Sequence, residues 1–298
     1  MPRLLDPAAL AAVLPHRGCN LIPDEVVVAD DGRSSTARVR VPAGDERGRT
    51  VFMRRAGDGT PCWYEPFVLE FLALAGIPLI AARLAPGQAA VFSAIARVAI
   101  HGLAPSAEEL LGEARIVRER PPFTVFATSA QCAGRCVLEA EVMSGAAELA
   151  AIAGEPPCPA PPPAAAPLAD WPWKPRHLRF VDGVVAWRAE ARRVHCAYTY
   201  PPDHPFVPGH FPGAPLMMGV TQLAAVADAA LVALERLGQR AGAADGRVQR
   251  ADGREVAEVR GLQLIEDGGV PRLAALQRIA FRSPVRPGEA LLIEAALA

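Results

Sequence analysis

This 298-residue sequence lacks several features that would assign a chain to a class of protein at once. Its six cysteines are scattered, which is too sparse for a disulfide scaffold. With 31 basic and 32 acidic residues the net charge is −1, so charge favours neither nucleic acid nor an anionic membrane surface. The longest apolar run, residues 66–82, is short for a bilayer span and is interrupted by Glu70 and Pro78. We therefore expect no nucleic-acid partner and no membrane span.

Signals for export and for metal binding are also missing. The first residues lack the cationic and then apolar segments of a secretory signal peptide, which predicts a cytoplasmic protein with reduced thiols. Cys132 and Cys136 are four positions apart, with no histidine near them in the sequence. We therefore expect neither a metal ion nor a cofactor.

Proline, in contrast, is abundant: 30 residues, many of them in one central segment. From Gly154 to Pro175 the chain reads "GEPPCPAPPPAAAPLADWPWKP". This density of proline prevents both helix and sheet ladders and favours an extended, semi-rigid connector. The predicted organisation is an N-terminal domain over 1–153, a linker over 154–175 and a C-terminal domain over 176–298.

The two predicted domains repeat one order of patterns, in which β-like stretches precede and follow a long apolar helix. The helices are predicted over 66–83 and 219–237. A helix that is apolar on nearly every face must be buried all round, and an antiparallel sheet wrapped about it achieves this. We predict an α+β fold of two antiparallel sheets, each wrapped on a long central helix and packed as a pseudo-dimer. The sheets could pair side by side. The β-like stretches are 25–28, 34–41, 90–101, 114–117, 124–130, 136–143, 178–186, 194–200, 255–265, 272–281 and 290–296.

Four segments resemble one known family. "GHFPGAPLMMGVTQLA", which begins at Gly209, resembles the active-site segment of the hotdog-fold 3-hydroxyacyl-[acyl carrier protein] dehydratases: H-F-P-G-x-P, then P-G-V, then a helix with a carboxylate. "RFVDGVV" at Arg179 is similar to an early strand of that family, and "FRSPVRPGEAL" at Phe281 to a late strand–turn–strand. In the first half, "LPHRGCNLIPDEVV" at Leu14 is similar to the family's opening segment. The resemblance implies a tandem form, or double hotdog.

The resemblance also implies one active site divided between the two halves. In this family the histidine and the acid come from different protomers, and the acid lies fourteen positions after the histidine in each chain. Counting forward from His210 gives Ala224, whereas counting back from Glu70 gives Ala56. Glycine at plus three and proline at plus five are kept in both halves, as Gly213, Pro215, Gly59 and Pro61. His210 and Glu70 are thus the predicted catalytic pair.

The family chemistry implies roles for further residues. His210 would remove the C2 proton of a 3-hydroxyacyl thioester, and Glu70 would orient and protonate the departing hydroxyl. A backbone N–H at a helix start, either that of Gly219 or that of Glu65, would stabilise the thioester oxygen, and the sequence leaves the choice open. Four residues are predicted to line the acyl channel or else to be ordinary core: Phe67, Phe71, Met217 and Met218.

Other assignments of these residues stay open. Glu70 is the only charged residue between positions 66 and 82, and a buried carboxylate with a purely structural role would still need a partner. Two other residues are alternative acids. Glu65 lies beside the proline at the helix start, and Asp228 takes a position that is usually glutamine in the family that the sequence resembles. His210 could be a loop histidine, and His204 is expected to be structural or exposed.

Three functions are compatible with these residues. The leading one is dehydration of 3-hydroxyacyl-ACP to 2-enoyl-ACP in a fatty acid or polyketide-like pathway, with an acidic acyl carrier protein as partner. The alternatives are a hotdog acyl thioesterase and a catalytically inactive acyl-binding or scaffold protein. Whether the chain forms a further homo-oligomer is left open. The carrier is predicted to dock on arginines near the motifs, with Arg54, Arg55, Arg282 and Arg286 as candidates.

Overall fold

The computed structural model describes residues 1–154 and 163–298. Residues 155–162, most of the proline-rich part of the predicted linker, lie outside the described residues. The first half contains β1 Arg3–Leu5, α1 Pro7–Val13, β2 Glu25–Val28, β3 Ser34–Val39, β4 Met53–Arg55, β5 Pro61–Trp63, α2 Glu65–Gly76, β6 Gln88–Ile100, β7 Leu110–Arg120, β8 Phe123–Cys132, β9 Arg135–Glu148 and α3 Leu149–Gly154. The second half contains β10 Ala166–Pro167, β11 Gly183–Arg188, β12 Arg193–Thr199, α4 Gly219–Arg236, β13 Gly242–Arg250, β14 Glu255–Asp267, β15 Val270–Phe281 and β16 Ala290–Leu297.

Fourteen of the sixteen described strands form one continuous antiparallel sheet, and β4 and β5 form a separate two-stranded sheet. The order of the larger sheet is β1-β2-β3-β7-β8-β9-β6-β15-β14-β13-β16-β12-β11-β10. The halves join where β6 pairs with β15, with Ala94 opposite Ala280 and Ala99 opposite Ala275. The two predicted sheets thus pair side by side, as the sequence allowed, and the edge strands of the halves satisfy each other's backbone groups.

Helix α2 is enclosed by the first half of this sheet. Every residue of α2 is buried, and the helix packs against β3, β7, β8 and β9. The predicted helix over 66–83 is too long, since α2 ends at Gly76 and two short 3₁₀ turns follow. Pro78 explains the early end, because it lacks the N–H that an α-helix would require at that position.

Helix α4 occupies the same place in the second half. Its residues from Val220 to Leu234 are all buried, and it packs against β12, β13, β14, β15 and β16. Helices α2 and α4 also contact each other. Gly238, with φ of +68°, ends α4 in the left-handed conformation that favours glycine. No described helix is long and apolar enough to cross a membrane.

Two predicted strand positions in the second half need correction. The predicted stretch 178–186 starts on the last residue of a 3₁₀ turn over Arg176–Leu178, and strand β11 begins only at Gly183. Strand β13 was not predicted, because its sequence "GAADGRVQR" has a single β-branched residue and reads as a loop. It is held in the sheet by pairing on both sides, with β14 and β16.

Candidate active site

A cavity of about 330 Å³ lies between the two halves and contains both predicted catalytic residues. Its polar end is formed by His16, Glu70 and His210. The remainder is walled by residues 90–93 of β6, 144–147 of β9 and 281–284 after β15, together with Ile77, Phe123, Phe211, Leu216, Met217, Gly219 and Gln222. The cavity thus combines a small polar end with a mainly apolar body, which is the form expected of a site for a ligand with an apolar chain.

Glu70 lies in the middle of α2, where the surrounding sheet removes it from solvent. The side chain is 1% exposed, and its Oε2 atom has no hydrogen-bond partner among the described residues. Burial raises the pKa of Glu70 from 4.5 to about 8, because an isolated carboxylate is poorly solvated there. At neutral pH this side chain is therefore mostly a protonated carboxylic acid that can donate a proton.

His210 follows a short 3₁₀ turn over Val207–Gly209 in the loop before α4. Its Nδ1 lies 3.1 Å from the carbonyl oxygen of Leu216, and the N–H of Leu216 donates back to the His210 carbonyl at 2.7 Å. Because a carbonyl only accepts, Nδ1 carries the proton and Nε2 of the neutral ring keeps its lone pair. Burial lowers the pKa of His210 to about 4, so the ring is neutral near pH 7.

His16 is a third ionisable group in the cavity and had been given no role from the sequence. It is 2% exposed, its Nε2 lies 3.8 Å from Oε1 of Glu70, and its ring centroid is 5.2 Å from that of His210. Its Nδ1 has no hydrogen-bond partner among the described residues. Burial, and then the neighbouring His210, hold its pKa well below the usual 6.5. The sequence signal for His16 is the L-P-H-R segment, which indicates the family resemblance but does not by itself give the histidine a role.

The opening loop of the first half holds the histidine loop of the second. The N–H of Arg17 donates to the carbonyl of Gly209 at 3.0 Å, and Nδ2 of Asn20 donates to the carbonyl of Phe206 at 2.8 Å. A Cβ atom added to Gly209 would lie only 2.1 Å from the carbonyl oxygen of Arg17. The close approach of the two loops therefore requires glycine immediately before His210.

Only one of the two predicted oxyanion donors lies at this cavity. Gly219 begins α4 and lines the cavity, where its N–H belongs to the positive end of the helix dipole. Glu65 begins α2 and is not among the lining residues. Its carboxylate forms a buried ion pair with Arg54. The geometry thus distinguishes two helix starts that the sequence left equivalent.

Of the four predicted channel residues, the structure places only Met217 in the cavity wall. Phe67 packs against Phe52 and Phe206 in an aromatic cluster, with ring centroids 4.6 and 5.2 Å away. Phe71 lies beneath Gly112 of β7, and Met218 is fully buried beside the start of α4. The sheet wraps nearly all of α2, so large side chains on its other faces fill the core. Apolar lining comes instead from strands and loops.

The alternative acids and His204 are bound elsewhere. Asp228 forms a buried ion pair with Lys174 and accepts the N–H of Phe180 at 2.8 Å. Glu65 is paired with Arg54, as described above. His204 is buried and donates from Nε2 to the carbonyl of His177 at 2.8 Å, which supports the expected structural role. None of these three side chains lines the cavity.

Counting fourteen positions on from His210 gives Ala224, where the second half lacks an acid, and a different polar cluster lies near this position. Ala224 of α4 is fully buried and carries no functional group. Lys174 lies eight positions before Asp182, as His16 lies eight before Asp24. Nζ of Lys174 contacts Asp228, one helical turn beyond Ala224, and donates to the hydroxyl of Tyr64 at 2.8 Å. Where the first half has His16 beside Glu70 at the cavity, the second has a buried ion pair of Lys174 with Asp228.

Among the described residues, two groups of side chains have the composition of metal sites. The donor atoms of His16, Glu70 and His210 lie within 4.8 Å of one another, so two imidazoles and a carboxylate could accept a transition-metal ion. His101 lies equally close to Cys136 and Glu139, because β6 pairs with β9. No histidine is near Cys136 in the sequence, and the pairing of distant strands is what brings His101 close to it. The expectation of no metal ion and no cofactor stays a prediction.

The four candidate arginines for carrier docking are in different environments. Arg282 lines the cavity mouth and donates to Glu255 and Glu258. Arg54 and Arg286 are buried, and Arg55 is exposed on the β4–β5 hairpin. Among the four, Arg282 is thus the one that the structure places beside the site.

Comparison with known proteins gives matches to dehydratases. A model of the ApeI-like family, described as ApeI dehydratase, matches residues 186–249. The chain is 30% identical over 115 residues to the 3-hydroxyacyl-[acyl-carrier-protein] dehydratase FabZ of Chlamydia trachomatis, covering 39% of this chain and 60% of the relative. It is 32% identical over 117 residues to FabZ of Thermus thermophilus, covering 39% and 63%. The chain thus spans about 60% of the length of the curated relatives it matches.

Among solved structures, the dehydratase heterocomplex ApeI:P from Xenorhabdus doucetiae matches 49% of this chain and 97% of its own, at 15% identity and a TM-score of 0.41. A thioesterase superfamily member from Thermus thermophilus matches 40% and 84%, at 14% identity and a TM-score of 0.33. The family model and the FabZ relatives confirm the predicted resemblance to the hotdog-fold dehydratase family.

Proposed function

We propose that this chain is a hydro-lyase that converts a 3-hydroxyacyl thioester to a 2-enoyl thioester and water. One observation carries the proposal: the imidazole of His210 and the carboxyl group of Glu70 face the same largely apolar cavity, where burial favours the neutral form of each. Dehydration requires one base and one acid at adjacent carbon atoms, and His210 and Glu70 are in the protonation states that it needs.

The chemistry begins at C2 of the substrate. Nε2 of His210 takes the C2 proton, and the electron pair is delocalised into the thioester carbonyl. The N–H at the start of α4, at Gly219, stabilises the negative charge that develops on the thioester oxygen, with help from the helix dipole. As the C2–C3 double bond forms, the C3–O bond breaks, and the hydroxyl leaves as water with the proton of Glu70.

Burial is what gives each group its role. With ordinary pKa values of 6.5 and 4.5, histidine would be partly protonated and glutamate ionised near pH 6, the reverse of what dehydration needs. In this cavity the pKa values are about 4 for His210 and about 8 for Glu70. A base ready to accept and an acid ready to donate therefore coexist across the neutral range.

The proposal extends to the whole chain. We infer a double hotdog in which residues 1–153 supply Glu70 and residues 176–298 supply His210, with 154–175 as the linker and one composite site. The acyl chain would lie against the apolar wall of the cavity, and an acidic acyl carrier protein would dock near Arg282. The fatty acid or polyketide-like pathway and the cytoplasmic location are part of the same proposal. The proposal also includes pseudo-dimer packing of the two halves within one chain, and it includes no nucleic-acid partner.

The test uses purified protein with a series of 3-hydroxyacyl-pantetheine thioesters of increasing chain length. We expect a 2-enoyl thioester to form, and we expect His210→Ala and Glu70→Gln each to remove nearly all of this activity. His195→Ala on β12 and Glu113→Gln on β7, both outside the cavity, are matched controls that should keep it.

The same assay separates the competing functions. Release of free thiol without enoyl product would identify a thioesterase. That outcome is disfavoured because activation of water needs an ionised carboxylate, and burial keeps Glu70 protonated at neutral pH. Binding of the thioester without turnover would identify an acyl-binding protein. Either result would contradict the dehydratase proposal.

A further inference from the structure

Each dehydration leaves His210 and Glu70 in the wrong protonation states for the next one. The C2 proton is then on His210, and the proton of Glu70 has left with water. The base must therefore lose a proton and the acid must gain one before another substrate can react. Both side chains are buried, at 8% and 1% exposure, so exchange with bulk solvent is restricted.

His16 lies beside both groups, whose own donor atoms are also within 4.8 Å of each other, so a proton can pass between them through its ring. One of its ring nitrogens is within 4.8 Å of both a ring nitrogen of His210 and a carboxyl oxygen of Glu70. The 3.8 Å from His16 Nε2 to Glu70 Oε1 is longer than a direct hydrogen bond and suits a single bridging water. The reaction itself releases one water per turnover at this end of the cavity.

We propose that His16 returns the proton from His210 to Glu70 after each turnover; the inference rests on the dehydratase function proposed above. His210 passes its Nε2 proton to the unprotonated nitrogen of His16, and the same nitrogen then passes a proton to Glu70. The N–H bond on His210 breaks, the O–H bond on Glu70 forms, and His16 ends in the tautomer in which it began. No proton enters or leaves the site over the cycle.

The environment of His16 suits a relay better than a structural contact. Its Nδ1 has no hydrogen-bond partner among the described residues, although buried polar atoms are ordinarily satisfied. The ring packs edge-on against Phe211 at 4.9 Å, and the loop that carries it is tied to Gly209 through Arg17. Since burial disfavours its charged form, His16 does not retain the proton that it receives.

The relay predicts a specific change in kinetics when His16 is removed. In His16→Ala we expect the first turnover at nearly the wild-type rate, since His210 and Glu70 start in the correct states. Later turnovers would be slower by about 10²-fold or more, because the site resets only through occasional solvent access. Rapid-quench measurements with a 3-hydroxyacyl-pantetheine thioester should show a burst of about one enoyl product per chain, absent from the wild type.

Added imidazole distinguishes a missing proton carrier from slow product release. It should raise the steady rate of His16→Ala in a concentration-dependent manner and leave the burst unchanged. His16→Gln fills the space but does not transfer protons near pH 7, so it should show the same burst if it melts like the wild type. His195→Ala should show neither burst nor rescue. All reactions contain a chelator, so that a bound metal ion cannot cause the difference.

The outcomes separate the relay from the function on which it rests. A slow first turnover without a burst, or a steady rate equal to that of the wild type, would overturn the relay while leaving the dehydratase function in place. A burst that imidazole does not affect would also overturn it. A wild-type chain that forms no enoyl product from any thioester of the series would instead overturn the proposed function itself, before any variant is made.

Discussion

At the scale of single residues, the site depends on burial, which raises the pKa of Glu70 and lowers the pKa of His210. The same enclosure that makes Glu70 an acid near pH 7 makes His210 a base, because each group is least stable there in its charged form. Within residues 1–154 and 163–298, neither residue has an opposite charge close enough to reverse this effect. The proposed catalytic roles therefore rest on where the chain places the two groups rather than on a direct contact between them.

The pH dependence of activity tests this argument. Activity requires His210 neutral, which holds above about pH 4, and Glu70 protonated, which holds below about pH 8. We expect kcat/KM on a 3-hydroxyacyl thioester to form a plateau between these limits and to fall on the alkaline side as Glu70 ionises. A profile that rises through pH 6.5 and stays level to pH 9 would contradict both shifts.

A second residue-scale prediction concerns additivity. If His210 and Glu70 act on one substrate as a unit, each single variant should lose about 10²- to 10⁴-fold in kcat/KM, and the double variant should be scarcely worse. The measurement is steady-state kinetics of His210→Ala, Glu70→Gln and the double variant. Losses that multiply would mean that the two residues serve separate sites. Activity surviving in Glu70→Gln would transfer the acid role to another group.

At the scale of elements, the loop before α4 is positioned by the first half of the chain. Gly209→Ala would bring a methyl group against the carbonyl of Arg17, where only 2.1 Å is available. We expect the loop to shift and His210 to be misaimed, with kcat/KM falling by more than about tenfold. Gly213→Ala is the comparison: no atom lies within 4 Å of its added Cβ, so only its φ of +77° is strained.

The measurement for this pair is kcat/KM together with the melting temperature. Equal losses of activity in the two variants would show that backbone strain, and not the contact with Arg17, governs the loop. A folded Gly209→Ala protein with wild-type activity would show that the loop does not need the contact at all.

The elements also show how far the sequence could predict the fold and the site. The starts of α2 and α4 were predictable within one residue, because the apolar runs have sharp borders at Glu65 and Gly219. The end of α2 was missed, since the apolar pattern continues past Pro78 in 3₁₀ turns. Strand β13 was missed because sheet pairing overrides its poor propensity. The environment of His16 depends on a contact between distant loops that no spacing reveals.

At the scale of the whole molecule, the shared sheet brings two unlike halves together around the cavity that contains Glu70 and His210. The first half contributes Glu70, His16 and the loop that holds Gly209, and the second contributes His210 and the start of α4. At the other position, Lys174 and Asp228 form a buried pair with Tyr64. Separating such a pair in an apolar interior is costly, so that position stays closed.

We therefore expect one substrate site per chain, and we expect that catalytic groups alone cannot open a second. In Ala56→His with Ala224→Glu, the new acid would lie one turn from the Lys174–Asp228 pair, and the new histidine would lie on a hairpin that lacks the H-F-P-G loop. Isothermal titration with a non-reactive 3-hydroxyacyl-pantetheine analogue should give a stoichiometry of one for both the wild type and the double variant. Adding His210→Ala to the double variant should abolish turnover. Turnover that persists in this triple variant, or a stoichiometry of two, would show that the second position is an accessible site and that the buried ion pair does not close it.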